Sequence, residues 1–182
     1  MPPCRYVAFL RAINVGGHVV KMTALKSIFQ SMTFVDAETF IASGNVVFTA
    51  KAAAPKLEAQ IEKGLAQALG YPVTTFLRTI DEISAVAERN PFGRAVPPGS
   101  RLFVAFVRTN PGAAVKRRVE ALSTPSDAFT VHGRELYWLC TVPSLQSIGS
   151  GYSLEKVVGQ PATLRNVNTI RRLAAKYRRD AP

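Results

Sequence analysis

Along the first half of the chain, hydrophobic periods change in an order that few folds accept. Arg5-Tyr6-Val7-Ala8-Phe9-Leu10-Arg11 is apolar at successive positions, which reads as a central strand buried on both faces. Met22, Leu25, Ile28, Phe29 and Met32 recur at helical spacing, so an amphipathic helix is expected over 22–32. Thr39-Phe40-Ile41 and Val46-Val47-Phe48 read as two short strands around Ser43-Gly44-Asn45, a tight-turn signal. Leu57, Ile61, Leu65 and Leu69 form a helical stripe that Gly70 closes as a C-cap. Pro72-Val73-Thr74-Thr75-Phe76-Leu77 is the next strand. The order is βαββαβ, the split βαβ or ferredoxin-like unit.

After a helix over roughly 80–88, Asn90-Pro91-Phe92-Gly93 and Val96-Pro97-Pro98-Gly99-Ser100 mark a boundary. Two domains are expected: 1–90, a ferredoxin-like half with a linker helix, and 91–182, a basic βαββα half. Leu102-Phe103-Val104-Ala105-Phe106-Val107 is a strand apolar on both faces, and Pro111 opens a helix carrying Val115, Val119 and Leu122. Ala128-Phe129-Thr130-Val131 and Leu136-Tyr137-Trp138-Leu139 form a hairpin around His132-Gly133. A short helix near 152–158 and a longer one over 168–178 follow. The expected fold is α+β: two ferredoxin-like halves with little sequence identity, packed together. Helices cover one face of each sheet, and the other half or a dimer partner covers the second.

Charge is divided unevenly. Residues 1–92 carry nine Lys/Arg against seven Asp/Glu, and residues 93–182 carry fourteen against five, so the net charge of +11 splits as +2 and +9. Such asymmetry marks a surface for nucleic acid or another polyanion; the competing reading is an Arg- and Ala-rich composition without function. Cys4 and Cys140 stand far apart, which is neither a disulfide framework nor a zinc pattern. Without an apolar run of membrane length or a signal-peptide start, no membrane partner is expected and the cytoplasm is the default location.

Three stretches carry candidate chemistry. Arg11-Ala12-Ile13-Asn14-Val15-Gly16-Gly17-His18, with Lys21 before a helix, puts a glycine loop and a helix N-terminus after a strand. Arg11, Asn14, Gly16, Gly17, His18 and Lys21 would seat a small anion there, although Gly16-Gly17 also suffices as a plain turn. Ser43-Gly44-Asn45 is accounted for as a hairpin turn, expected at the sheet edge opposite the glycine loop. The third stretch is Thr163-Leu164-Arg165-Asn166-Val167-Asn168-Thr169-Ile170, where Asn168, or Asn166, is the expected N-cap. Arg165, Asn166 and Asn168 join the ligand-binding candidates. Arg171, Arg172, Lys176, Arg178 and Arg179 give the last helix a basic face toward nucleic acid, or merely a solvated end matched to the helix dipole. Ser147-Ile148-Gly149-Ser150-Gly151-Tyr152-Ser153 is a loop able to close over a ligand.

Tyr6-Val7-Ala8-Phe9-Leu10-Arg11-Ala12-Ile13-Asn14-Val15-Gly16-Gly17, Lys21-Met22, Ser43-Gly44-Asn45-Val46-Val47-Phe48 and Thr163-Leu164-Arg165-Asn166-Val167-Asn168-Thr169 together resemble the bacterial family catalogued as domain of unknown function 1697. The resemblance runs over essentially the whole chain and implies an α+β fold of ferredoxin-like parts, with no activity attached. That family usually has Trp where Val167 stands here, and many of its members have a longer, more Lys-rich stretch where this chain has 154–162.

His18 and His132 have no metal-ligand neighbours at suitable spacing, no nucleophile elbow occurs and carboxylates are sparse, so no cofactor or metal is expected. Three readings follow: a binding protein for nucleic acid or another polyanion through the basic half, an enzyme or sensor for a small anionic metabolite at Arg11–Lys21, and a homodimer or interaction subunit.

Overall fold

A computed structural model describes residues 2–11, 13–14, 17–41, 44–93, 96–142 and 154–178. The chain forms two compact units, one running to Ser84 and taking in the stretch from Leu173 on, the other Ala85–Arg172.

In the first unit, β1 (Cys4–Leu10), α1 (Met22–Ser31), β2 (Val35–Thr39), β3 (Asn45–Ala50), α2 (Ala54–Leu69) and β4 (Thr75–Thr79) follow in order. The sheet is antiparallel with strand order β2-β3-β1-β4, the ferredoxin-like arrangement. Both faces of β1 are buried, as its continuous apolar run requires. Tyr6, Ala8 and Leu10 belong to a core with Leu25 and Phe29 of α1 and Leu57, Ile61 and Leu65 of α2. On the other face Val7, Phe9, Val47 and Phe76 are at most 1% exposed. Gly70 closes α2 at φ +80, as expected.

Two strands are displaced from their expected places. β2 precedes Phe40-Ile41, because that pair enters the turn, with Ile41 at φ +49. β4 begins after Pro72, which has no N–H to give a ladder. As an edge strand, β4 would present a row of unpaired N–H groups, and glutamates accept them instead. Thr75 N–H donates to Glu62 at 2.8 Å, Leu77 N–H to Glu58 at 2.9 Å and Thr79 N–H to Glu82 at 2.8 Å. The edge is thereby closed to another strand. After Thr79, α3 (Ile80–Glu88) opens on a capping box, since Glu82 N–H donates back to Thr79 Oγ1 at 3.1 Å.

The second unit holds β5 (Arg101–Phe106), α4 (Gly112–Glu120), β6 (Asp127–His132), β7 (Glu135–Cys140), α5 (Leu154–Val158) and β8 (Thr163–Asn166), after which α6 (Val167–Tyr177) begins. Strand order β6-β7-β5-β8 repeats the first sheet. The expected βαββα half is therefore a full βαββαβ. The missed strand, β8, is four residues long at a sheet edge, and its large apolar residue Leu164 is 40% exposed, too little for a hydrophobic pattern. Ala105, Phe129, Val131 and Trp138 pack with Val119 of α4 and Val158 of α5. Val104, Phe106, Tyr137 and Leu139 on the opposite face are also buried. Trp138 Nε1–H donates to the buried Asp127 carboxylate at 2.6 Å, which lets an indole sit in this core.

Ladder register aligns the two halves residue by residue. Ala8 lies opposite Val46 and Leu77, and Ala105 opposite Leu136 and Leu164. Tyr6-Val7-Ala8-Phe9-Leu10-Arg11 thus occupies the positions of Phe103-Val104-Ala105-Phe106-Val107-Arg108, with four of the six residues identical. Leu77-Arg78-Thr79 occupies those of Leu164-Arg165-Asn166. Identity between the halves is low along the chain but concentrated in these two strands.

Candidate functional site

The antiparallel β1–β3 ladder, in which Phe9 lies opposite Asn45, brings the start of β3 beside the end of β1. The Gly44-Asn45 turn is therefore adjacent to the Arg11–Lys21 connection, not at the opposite edge as expected. The reason is topological: β2 and β1 run parallel with β3 between them, so the β2–β3 turn and the exit of β1 share one end of the sheet. Leu10 N–H donates to Gly44 O at 2.8 Å, and Arg11 N–H to Thr74 O at 2.9 Å, which ties in the approach to β4 as well.

Gly44 is required twice over. Its φ is +69, and a Cβ there would stand 2.9 Å from Ile13 Cγ2. Asn45 is fully buried, and its side-chain amide donates to Phe40 O at 3.1 Å, closing the turn. Ile13 and Val20 sink into the core, while Tyr71 O–H donates to Ile13 O at 3.0 Å. Asn14 Oδ1 accepts the Val20 N–H at 2.8 Å, so Asn14 shapes the loop. What remains outward is chemical: half-buried Arg11, exposed His18 and exposed Lys21. His18 stacks on Tyr71 with ring centroids 3.8 Å apart. Gly17 takes φ +87, and Val19 is 86% exposed. Lys21 is the N-cap of α1 without a side-chain capping bond, and no acidic residue lies in the first turn, so the positive end of α1 carries no built-in anion. Gly16 lies outside the described residues. Tyr71 and Thr74 were not legible as site residues, because only the α2–β4 turn brings them here.

The other candidates belong to the second unit or to the end of the chain. Arg165, on β8, donates Nη1–H to Leu164 O at 2.8 Å and to Thr163 Oγ1 at 2.8 Å. Burial pushes its guanidinium down to about 10, which leaves it charged at neutral pH. Arg78, its counterpart in the first half, makes the same bond to Leu77 O at 2.8 Å and is fully buried. Asn166, the N-cap of α6, accepts the Asn168 N–H at 2.8 Å. Asn168 lies two positions too far in to cap, because Val167 is already helical. Arg171 and Arg172 are exposed on α6. Lys176 is bonded to Glu38 Oε2 at 2.9 Å, which Tyr177 O–H also reaches at 2.9 Å. Arg178 is exposed, and Arg179 and the loop 147–153 lie outside the described residues.

Among the described residues no group of three His, Cys, Asp or Glu side chains could hold a metal ion, and no helix is long and apolar enough to cross a membrane. Fold and site together define a two-unit α+β protein with a ferredoxin-like sheet in each unit and a cationic loop cluster at one end of the first. A family model described as Protein of unknown function (DUF1697) matches residues 4–137, and the chain belongs to that family. The match takes in both the Arg11–Lys21 connection and the Gly44 turn, and ends before the Arg165–Asn168 segment. The chain is also similar to a solved structure described as the conserved bacterial protein SP0830 from Streptococcus pneumoniae. The TM-score is 0.72 at 20% identity, covering 97% of this chain and 99% of that one, a likeness of fold alone. No curated protein matches.

Proposed function

We propose that the Arg11–Lys21 connection, with the Gly44 turn and Tyr71 beneath it, binds a small anionic metabolite. One observation carries this reading. The same fold makes the equivalent connection twice in this chain, with eleven residues between Leu10 and Met22 and five between Phe106 and Gly112. The short version keeps Arg108 at the position of Arg11, so the added length that carries His18 and Lys21 exceeds what the connection itself requires. Arg11 and Lys21 supply charge, the open end of α1 supplies N–H donors, and the stacked His18 offers one flat ring edge. A thermal-shift screen of anionic metabolites against the full chain tests it. Stabilisation by an anion should disappear in Lys21→Ala and Arg11→Ala, and survive in Arg117→Gln on α4. A screen without any stabilising anion, or hits indifferent to Lys21 and Arg11, would sink the reading.

A second reading rests on α4, where Lys116, Arg117 and Arg118 are exposed on one helix of the basic half. They would contact the phosphates of nucleic acid or another polyanion. The sheet aromatics Phe9, Phe48, Phe76, Phe106, Tyr137 and Trp138 are buried, so they offer no platform for bases and such binding is a matter of charge. Anisotropy with mixed-sequence oligonucleotides should then give an affinity falling linearly on a log–log salt plot. An absence of binding at low salt would retire it.

A further inference from the structure

The helix that follows the fourth strand occurs in both halves, and its two copies carry opposite charge. In the first half, α3 begins with Asp81 and Glu82 in its first turn, and Glu82 completes the capping box with Thr79. Register places Asn168 and Thr169 of α6 at the positions of Asp81 and Glu82, and Arg171 and Arg172 at those of Ser84 and Ala85. The apolar positions are kept, with Ile83 matched by Ile170 and Val86 by Leu173, all of them buried. Carboxylates at this helix end thus suit the fold, and the second half lacks them: no acidic residue lies in the first turn of α6.

A cleft of about 370 Å³ opens at that point within the second unit, and Arg89, Arg101, Arg171, Asn166, Asn168 and Glu88 are among its lining residues. Arg171 Nη1–H donates to Asn168 Oδ1 at 3.3 Å, which holds the guanidinium over the first turn. Among the described lining residues, three arginines against one glutamate give a positive balance, and the dipole of α6 adds to it. Among the described residues none lining the cleft is aromatic, so these offer no stacking surface for a nucleobase. Its volume lies at the small end of the range for ligand sites.

We propose that this cleft binds a small phosphorylated polyol. The phosphate group sits against Arg101, Arg171 and the first turn of α6, where the first half places its own carboxylates. Glu88 accepts a hydrogen bond from a hydroxyl of the remainder and disfavours a continuous polyanion. This site is independent of the Arg11–Lys21 loop, and either can fail without the other.

Isothermal titration calorimetry on the full chain, with ribose 5-phosphate, inorganic phosphate and ribose as probes, tests the proposal. Ribose 5-phosphate should bind at least tenfold more tightly than inorganic phosphate, and ribose should give no heat. Arg171→Gln should weaken ribose 5-phosphate at least tenfold, and Lys63→Gln, on the exposed surface of α2, should leave it unchanged. The decisive variant is Asn168→Asp, which restores the residue type that the first half carries and so is compatible with folding. It should keep or raise the melting temperature while weakening ribose 5-phosphate at least tenfold. The proposal is overturned by unchanged binding in Asn168→Asp and Arg171→Gln, by no heat from either phosphate at millimolar concentration, or by a mixed-sequence oligonucleotide that binds more tightly than ribose 5-phosphate and loses affinity in the same two variants.

Discussion

Replacing Gly44 by Ala probes the junction between the loop and the β2–β3 turn. At φ +69 an L side chain costs about 1–2 kcal/mol in backbone strain. The new Cβ would also stand 2.9 Å from Ile13 Cγ2 and 3.4 Å from Leu10 Cβ, both on core residues at most 3% exposed. Forcing a methyl group into such packing costs about 1–3 kcal/mol more, so the total is roughly 2–5 kcal/mol. For a chain of this size that corresponds to a melting temperature lowered by roughly 4–20 °C in the transition that includes the first unit. Gly17 is the control, because its φ is +87 but nothing lies within 4 Å of its would-be Cβ. Gly17→Ala should therefore show the strain alone, about 1–2 kcal/mol. Scanning calorimetry is the assay, because the two units need not melt together and the calorimetric trace shows each transition. A Gly44→Ala loss no larger than that of Gly17→Ala would refute the steric contact and with it the packing of the turn against the loop.

Glu58→Leu removes the acceptor of the Leu77 N–H at the β4 edge. It should cost about 1–3 kcal/mol in urea unfolding and speed hydrogen exchange at Leu77, whereas Glu58→Gln keeps an acceptor and should cost less. Asp127→Leu strands the Trp138 indole N–H in a core where Trp138 is only 3% exposed. A loss of about 1–3 kcal/mol is expected, with the emission of this one tryptophan as the probe and Asp127→Asn milder. The Glu38 carboxyl is held below its ordinary value by hydrogen bonds from Lys176 first and Tyr177 second. A depressed carboxylate contributes stability that is present above the unfolded value, about 4.3, and lost as pH falls through the folded one. Both members of the Lys176–Glu38 ion pair are half exposed, so Glu38→Gln should cost only about 0.2–1 kcal/mol at pH 7. Near pH 3 its melting temperature should approach that of the unmodified chain, and a gap that widens on acidification would contradict the assigned cause.

Much of the candidate site was legible because its residues cluster along the chain. Arg11, His18 and Lys21 lie within one connection, and a strand running into a glycine loop and then a helix advertises an open N-terminus. Asn166 and Asn168 were both marked as caps, and only the position of Val167 inside the helix chose between them. Arg89, Arg101 and Glu88 were not marked, since residues from opposite sides of the Pro/Gly stretch meet Arg171 only in the fold.

Local patterns determined the elements themselves. An apolar run required β1 to be buried on both faces, a helical stripe ending in glycine required α2 to stop at Gly70, and a Gly-Asn pair required a turn before β3. These follow from interactions within a few residues, which a sequence displays directly. Tertiary structure alone decided that β8 exists, that Gly44 packs on Ile13, that glutamates of α2 and α3 close the β4 edge, and that Arg78 is buried. Each of these depends on which strand lies beside which. A pairing between residues 36 positions apart in the chain, such as Phe9 with Asn45, leaves no periodicity in either strand to announce it. The repeated register shows the same division: two halves reach one topology while sharing identity chiefly in β1 with β5 and β4 with β8.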